Sequence, residues 1–231
     1  MKNLRIGALK VSVSNVPRLS ELLPPAEWAL VESVAIRRKY RDAQIIHERG
    51  DQDQTIGVVI AGQVKLINPR SDGLEVFSGL IHTGQNYGDA AVLQGHTRQH
   101  RAVAIGETVI DHLDTAAFNR LLGNSAIARA FYIVASYRLS VSLALLDDMR
   151  TLAPEVRLGR LIIRMHQAAK GSDRLDFLQE EFAGMLGIST VTLAKALQQL
   201  KRHGFIATGY RHIRIDDPVK LAAWLREHEM E

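Results

Sequence analysis

The chain contains no cysteine. That removes structural disulfides, thiolate zinc sites, cysteine-ligated iron–sulfur clusters and a cysteine nucleophile together. It also lacks any run of about 18 uncharged apolar residues, the length a membrane-spanning helix requires, so no membrane association is expected. Met1–Lys10 carries Lys2, Arg5 and Lys10 but not the apolar stretch of a secretory signal, which points to a cytoplasmic protein. A third scarcity is local. From Gly187 to Ile215 there is no Asp or Glu, while Lys195, Lys201, Arg202, Arg211 and Arg214 fall in the same interval. Acidic residues return on both sides, at Glu180 and Glu181 and at Asp216 and Asp217. A basic stretch bounded this sharply is the footprint expected of phosphate contact.

What is present fits a soluble two-domain protein. The 231 residues suffice for one large domain or two ordinary ones, and 46% hydrophobic content supports real cores. Between Val16 and Arg38, Pro24-Pro25 opens a stretch in which Trp28, Leu30, Val31, Val34 and Ala35 follow a helical period. From Arg41 to Ala117 short β runs replace it: Ile45–Ile46, Ile56–Ile60, Val64–Ile67, Leu74–Ile81 and Val103–Ile105. Turn signals at Gly50-Asp51, Ala61-Gly62, Asp72-Gly73 and Gly84-Gln85 separate them, a spacing typical of a sandwich or barrel. Ser71-Asp72-Gly73 is the strongest hairpin signal.

The period then lengthens. Asn124 to Leu152 contains no proline, and Ile127, Phe131, Val134, Ala135, Leu139, Val141, Leu145 and Met149 leave an apolar stripe on a helix roughly 40 Å long. A long single helix with such a seam is a pairing surface, so Phe131, Leu139, Leu145 and Met149 are expected in a homodimer interface. Thr151–Pro154 ends the helix. The expected units run over 1–123, 124–152 and 153–231, the middle one being the dimerisation helix.

The segment Leu175–Leu200 reads as helix, tight turn, helix. Asp176 is placed to cap the first helix with Gln179 as reciprocal partner. Phe182 and Leu186 face inward, Ala183 is small where a second helix crosses, and Gly187 ends the helix. Ile188 plugs the corner and Ser189 caps the second helix, which buries Leu193, Ala196, Leu197 and Leu200. Its other face offers Thr190, Val191, Thr192, Lys195, Gln198 and Gln199. An apolar back and a small polar or basic front are what a recognition helix in the major groove requires. Phe205–Ile215 follows as two short strands around Gly209, with Arg211 and His212 forming a basic wing.

With those residues in view, the chain resembles the CRP/FNR family of bacterial regulators. Glu180–Ile206 meets the family pattern almost throughout. Gly50-Asp51 with Gly62–Leu66, and Gly84–Asp89, resemble its sensor strands and turn more loosely. The resemblance runs from about Leu22 to Ile215. It implies an α+β fold: an N-terminal double-stranded β-roll of the cyclic-nucleotide-binding jelly-roll type, a long dimerisation helix and a C-terminal winged helix-turn-helix. It further implies palindromic double-stranded DNA, a second copy of the chain and RNA polymerase as partners. Thr190, Val191 and Lys195 match base-reading positions, and Gln179, Ser189 and Thr192 match positions that hold phosphates. The basic residues Lys201, Arg202 and Arg211 are assigned to phosphates as well.

Departures from the family pattern carry information. In nucleotide-binding members the sensor turn ends in Gly-Glu and is followed by Arg-Ser-Ala, which grips the cyclic phosphate. Here the turn ends Gly88-Asp89 and the tripeptide position reads His100-Arg101-Ala102, leaving Arg98 or Arg101 to meet an anion. The hydroxyl pair such members offer to the purine falls, counting back from Gly159-Arg160, on Leu145-Leu146. Leucines there leave a buried purine edge unsatisfied, which disfavours cyclic AMP; a different small-molecule effector, or effector-free DNA binding, is expected instead. Absence of cysteine removes the iron–sulfur sensor of some relatives. Where many members read a G·C-rich core with Arg-Glu, this chain has Thr190-Val191, suited to a thymine methyl and other edges, so the usual TGTGA half-site is not expected.

Other readings are weaker. A metal-dependent cupin-like enzyme would need clustered histidines on strands, whereas His96 and His100 lie in a segment that reads as loop. A haem sensor would need a ligand such as His82, which nothing in the sequence singles out. A regulator that binds protein instead of DNA has no need of the intact, acid-free helix-turn-helix. No catalytic group, metal or resident cofactor is expected.

Overall fold

The computed structural model describes residues 16–69, 75–168, 171–176 and 178–228. Two short helices, α1 (Leu19–Leu22) and α2 (Pro25–Val34), precede the first strands, β1 (Ile36–Tyr40) and β2 (Ile45–His47). The hairpin β3 (Thr55–Pro69) and β4 (Glu75–His82) leads through β5 (Asn86–Tyr87) and α3 (Asp89–Gln94) to β6 (Arg101–Asp114). Then come α4 (Thr115–Leu121), the long α5 (Ser125–Thr151) and α6 (Pro154–Ala168). The last part holds β7 (Arg174–Asp176), α7 (Gln179–Leu186), α8 (Thr190–Arg202), β8 (Ile206–Gly209), β9 (His212–Ile215) and α9 (Pro218–Glu227).

The six N-terminal strands form one antiparallel sheet in the order β1-β6-β3-β4, with β2 on β6 and β5 on β3. Three expectations change here. Ile36–Tyr40 is strand, not the end of a helix, because Ile36 through Tyr40 pair residue by residue with His112 through Thr108. Ala61-Gly62 is not a turn. It is an irregularity inside the continuous β3, where the register against β6 shifts on both sides of Ala61. Val103–Ile105 is a fragment of the 14-residue β6. The hairpin signal Ser71-Asp72-Gly73 lies outside the described residues; the flanking strands pair up to Pro69 and Glu75.

Two clusters fill the sensor. Val59, Val64, Tyr87, Ala102 and Ile110 sit within the roll. Leu19, Val31, Ile56, Leu113, Phe118, Ile127, Phe131 and Val134 join the sheet to the helices around it. The N-terminal half of α5 therefore belongs to the sensor core, and Phe131 packs edge-on against Phe118 at 5.0 Å between ring centres. Phe131 is thus not a seam residue. Asn124 caps this helix by accepting from the amides of Ala126 and Ile127. A separate core built on Leu158, Ile162, Phe182, Leu193, Leu200, Ile213 and Leu221 holds the C-terminal unit together.

The face of α5 turned away from that core is different. Tyr132, Leu139 and Leu146 recur every seven residues and are exposed, joined by Leu143 and Met149. By length and composition α5 is apolar enough to cross a membrane, but this exposure is confined to one stripe at heptad spacing, the pattern of a helix that pairs. Leu145 is only partly exposed.

Candidate nucleic-acid interface and sensor turn

The C-terminal unit positions its surface residues through local chemistry. At the end of α7, Gly187 adopts φ 63°, a left-handed conformation glycine reaches without strain. The chain then turns back so that the Ile188 amide donates to the Ala183 carbonyl at 3.0 Å. Ser189 is extended, its Oγ accepts from the Thr192 amide at 3.1 Å, and it lies 2.9 Å from Thr192 Oγ1. This cap starts α8, whose Leu193, Ala196, Leu197 and Leu200 are buried. Thr190, Val191, Lys195, Gln198 and Gln199 consequently project into solvent.

β7, β9 and β8 form a small sheet beside α8 in that order. Arg211, at φ 56°, and Tyr210, 89% exposed, make the tip between β8 and β9; the turn is at these two residues and not at Gly209. Lys201 Nζ donates to Thr208 Oγ1 at 3.2 Å, fastening the end of α8 to the wing, and Arg202 is exposed. Gln179, at the start of α7, lines a cleft of about 270 Å³ with Gln198, Lys201 and Thr208. The base-reading and phosphate residues expected from sequence thus sit on elements that share one unit. Asp176 is not at the capping position: α7 begins at Gln179 with Leu178 as its N-cap residue, and Leu175–Asp176 belongs to β7. Tyr210 and the strand β7 went unread because a three-residue strand and an exposed tip leave no periodic pattern.

The sensor turn brings together only part of what was expected. Gly88 has φ 86° and opens α3. A Cβ there would stand 2.9 Å from the Thr55 carbonyl and still closer to Arg98 Nη1. Arg98 is 3% exposed and faces inward. Its Nη2 donates to Asp53 Oδ2 at 3.0 Å and to the Thr55 carbonyl and hydroxyl at 2.7 and 2.9 Å. Asp89 is bonded by Arg138 of α5, which also donates to the Asn86 carbonyl. Arg101 lies apart from this cage, with Nε 2.7 Å from Glu48 and Nη1 2.7 Å from Glu75. His100 is half-buried, and burial pushes its imidazole below the ordinary value.

Arg138, not Leu145 or Leu146, is the α5 side chain bonded to the turn; those leucines stand two helical turns on, roughly 10 Å along the axis. The sign of Arg138 in the sequence is that it is the single charged residue between Ala130 and Leu146. His82, His96 and His100 do not cluster. Among the described residues, no group of three His, Cys, Asp or Glu could hold a metal ion.

Comparison with known proteins settles the assignment. A model of the Crp-like helix-turn-helix domain matches residues 156–224, and a model of the cyclic nucleotide-binding domain matches residues 37–125. The chain belongs to the CRP/FNR family of transcription regulators. It is 25% identical over 190 residues to the cyclic AMP receptor protein of Thermus thermophilus, covering 81% of this chain and 87% of that one. It is 26% identical over 200 residues to the HTH-type transcriptional regulator Cmr of Mycobacterium tuberculosis, covering 84% and 78%. In fold it is similar to the c-di-GMP-responsive global regulator CLP of Xanthomonas campestris. That likeness has a TM-score of 0.72 and 17% identity, covering 84% of this chain and 100% of that one. Thr190–Lys195 lie in the first turns of α8, inside the region that the helix-turn-helix model matches.

Proposed function

We propose that this CRP/FNR regulator binds palindromic double-stranded DNA as a cytoplasmic homodimer, without cyclic AMP as effector and without enzymatic activity. The observation that carries it is α8. Its apolar face is buried, its start is capped, and Thr190, Val191 and Lys195 are exposed on the free side next to a basic wing. The exposed stripe Tyr132, Leu139, Leu146 supports the dimer, because two copies pairing there cover it. Pairing along this stripe would set two reading heads about one turn of DNA apart, with the Thr151–Pro154 bend fixing their angle. RNA polymerase is the protein partner implied by the family.

The reading against cyclic AMP rests on the sensor turn. Arg101 is taken up by Glu48 and Glu75 and Arg138 by Asp89, while Arg98 bonds Asp53 and Thr55 through Nη2 alone and leaves its buried Nε and Nη1 without a hydrogen-bond partner. A cyclic phosphate would have to displace a partner of Arg101 or Arg138 or reach the buried side of Arg98, and Leu145-Leu146 offer a purine no hydrogen bond. The test is selection of bound sequences from random duplex DNA at stated salt, with and without the nucleotide. Expected is an enriched palindrome with half-sites about one turn apart in both samples. Enrichment only with cyclic AMP would overturn the effector reading, and none under either condition would overturn effector-free binding.

A further inference from the structure

Glu181, on the first helix of the reading head, is bonded to the sensor domain. Lys65 Nζ on β3 lies 2.6 Å from Glu181 Oε1, and the same ammonium sits 5.9 Å from the centre of the Phe77 ring on β4. One turn further along α7, Gly184 faces the β4 backbone. A Cβ placed on it would stand 3.5 Å from Phe77 N and 3.8 Å from Val76 Cγ1. A methyl group fits at that distance, and a longer side chain does not. β4 ends the strand order of the sheet, so the head covers part of an edge that would otherwise be open. Thr190, Val191 and Lys195 stay exposed. The contact therefore restrains where the head sits without covering what it reads.

The strand that carries Lys65 also reaches the sensor turn. Thr55, whose carbonyl and hydroxyl hold Arg98, is ten positions before Lys65 on β3, roughly 30 Å along the strand. All these contacts lie within one protomer.

We infer that the β3–β4 hairpin is a brake acting in cis on the reading head. The Lys65–Glu181 pair and the Gly184 contact hold the head docked on its own sensor domain, and site-specific DNA binding requires release. Only the last clause rests on the DNA-binding reading. A pair this exposed shifts a population by about two- to fivefold, weak enough for a change at the Thr55–Arg98 end of the strand to tip it.

A chain without cysteine allows a clean test. Val76→Cys with Gly184→Cys places two β-carbons near the 3.5–4.5 Å that a disulfide spans. Full-length protein carrying both is expected to form an intramolecular crosslink under mild oxidation. Adding Lys65→Glu should slow it about two- to fivefold, and Glu181→Lys in the same chain should restore it. No crosslink, or a rate indifferent to both charge changes, overturns the docking. On oxidation, affinity for the selected DNA site should fall about tenfold or more, as a locked equilibrium requires, and return with dithiothreitol. Equal or tighter binding by the locked form overturns the brake. If the reduced and wild-type proteins bind no DNA, the DNA-binding reading fails, while the crosslinking rates still decide the docking. Should the cysteine pair prevent folding, Gly184→Leu alone, which pries α7 from β4, is expected to tighten site binding severalfold; unchanged or weaker binding sinks the brake.

Discussion

Arg138 on α5 and Asp89 on α3 form a half-buried ion pair, with Arg138 Nη1 3.1 Å from one carboxylate oxygen and 3.4 Å from the other. The second amino group of Arg138 donates to the Asn86 carbonyl. One guanidinium thereby ties the long helix to the sensor turn. Neither residue shows its role in the local pattern around it.

Arg138→Leu leaves the Asp89 carboxylate in place with its cation gone. A loss of about 1–3 kcal/mol in stability is expected, since an uncompensated, mostly buried charge remains. The urea midpoint measures it, and Arg138→Lys should recover part of the loss. Full stability of the leucine variant would mean that Asp89 finds another partner.

Lys195→Ala tests base reading. A base contact is worth about 1–3 kcal/mol at the selected site and nothing on random DNA. Comparing the two affinities at one salt concentration separates these roles. An equal loss on both would make Lys195 a phosphate contact.

Leu139→Glu places a charge in the exposed α5 stripe, where the side chain is 61% exposed within one chain. The fold of the protomer should survive, because no internal packing is removed. Sedimentation should shift from dimer to monomer. A Leu139→Glu variant that remains dimeric would move the pairing surface elsewhere.

Stability should fall in mild acid. Burial pushes the His47 imidazole down to about 4, with the Arg98 charge adding to it, and burial does the same to His112, helped by Arg38. Both ordinarily titrate near 6.5. Unfolded chains therefore bind more protons between these values. The stability these groups support is complete above about pH 6.5 and is lost as pH falls towards 4, by at most about 3 kcal/mol for each. His47 stacks on Tyr87 at 5.8 Å, so His47→Phe keeps the ring contact and should flatten the slope of urea midpoint against pH between 7 and 5. An unchanged slope would assign the acid sensitivity to other groups.

The reading head was legible in the sequence, and the sensor was legible only in outline. Helix-turn-helix geometry depends on neighbours in the chain. The Gly187 turn, the Ser189 cap and the Leu193, Ala196, Leu197, Leu200 face each answer to residues three or four positions away. Even there the first helix starts at Gln179, since Leu175 and Asp176 pair with Ile213 and His212 in a sheet that local pattern does not announce. In the sensor, Ala61-Gly62 has the composition of a turn. Pairing with β6, more than forty residues distant, keeps β3 continuous through it.

By itself, then, the sequence determined the period of each element, the bend at Thr151–Pro154 and the reading surface of α8, because each is set within a few residues by capping, periodicity and backbone preference. Tertiary structure alone decided the fates of like residues. Arg98, Arg101 and Arg138 carry the same side chain, yet long-range pairing gives them three different sets of partners. Phe131 and Leu139 lie on one apolar helix, but only the first has a sheet and Phe118 beside it, so one enters the core and the other is left for a partner.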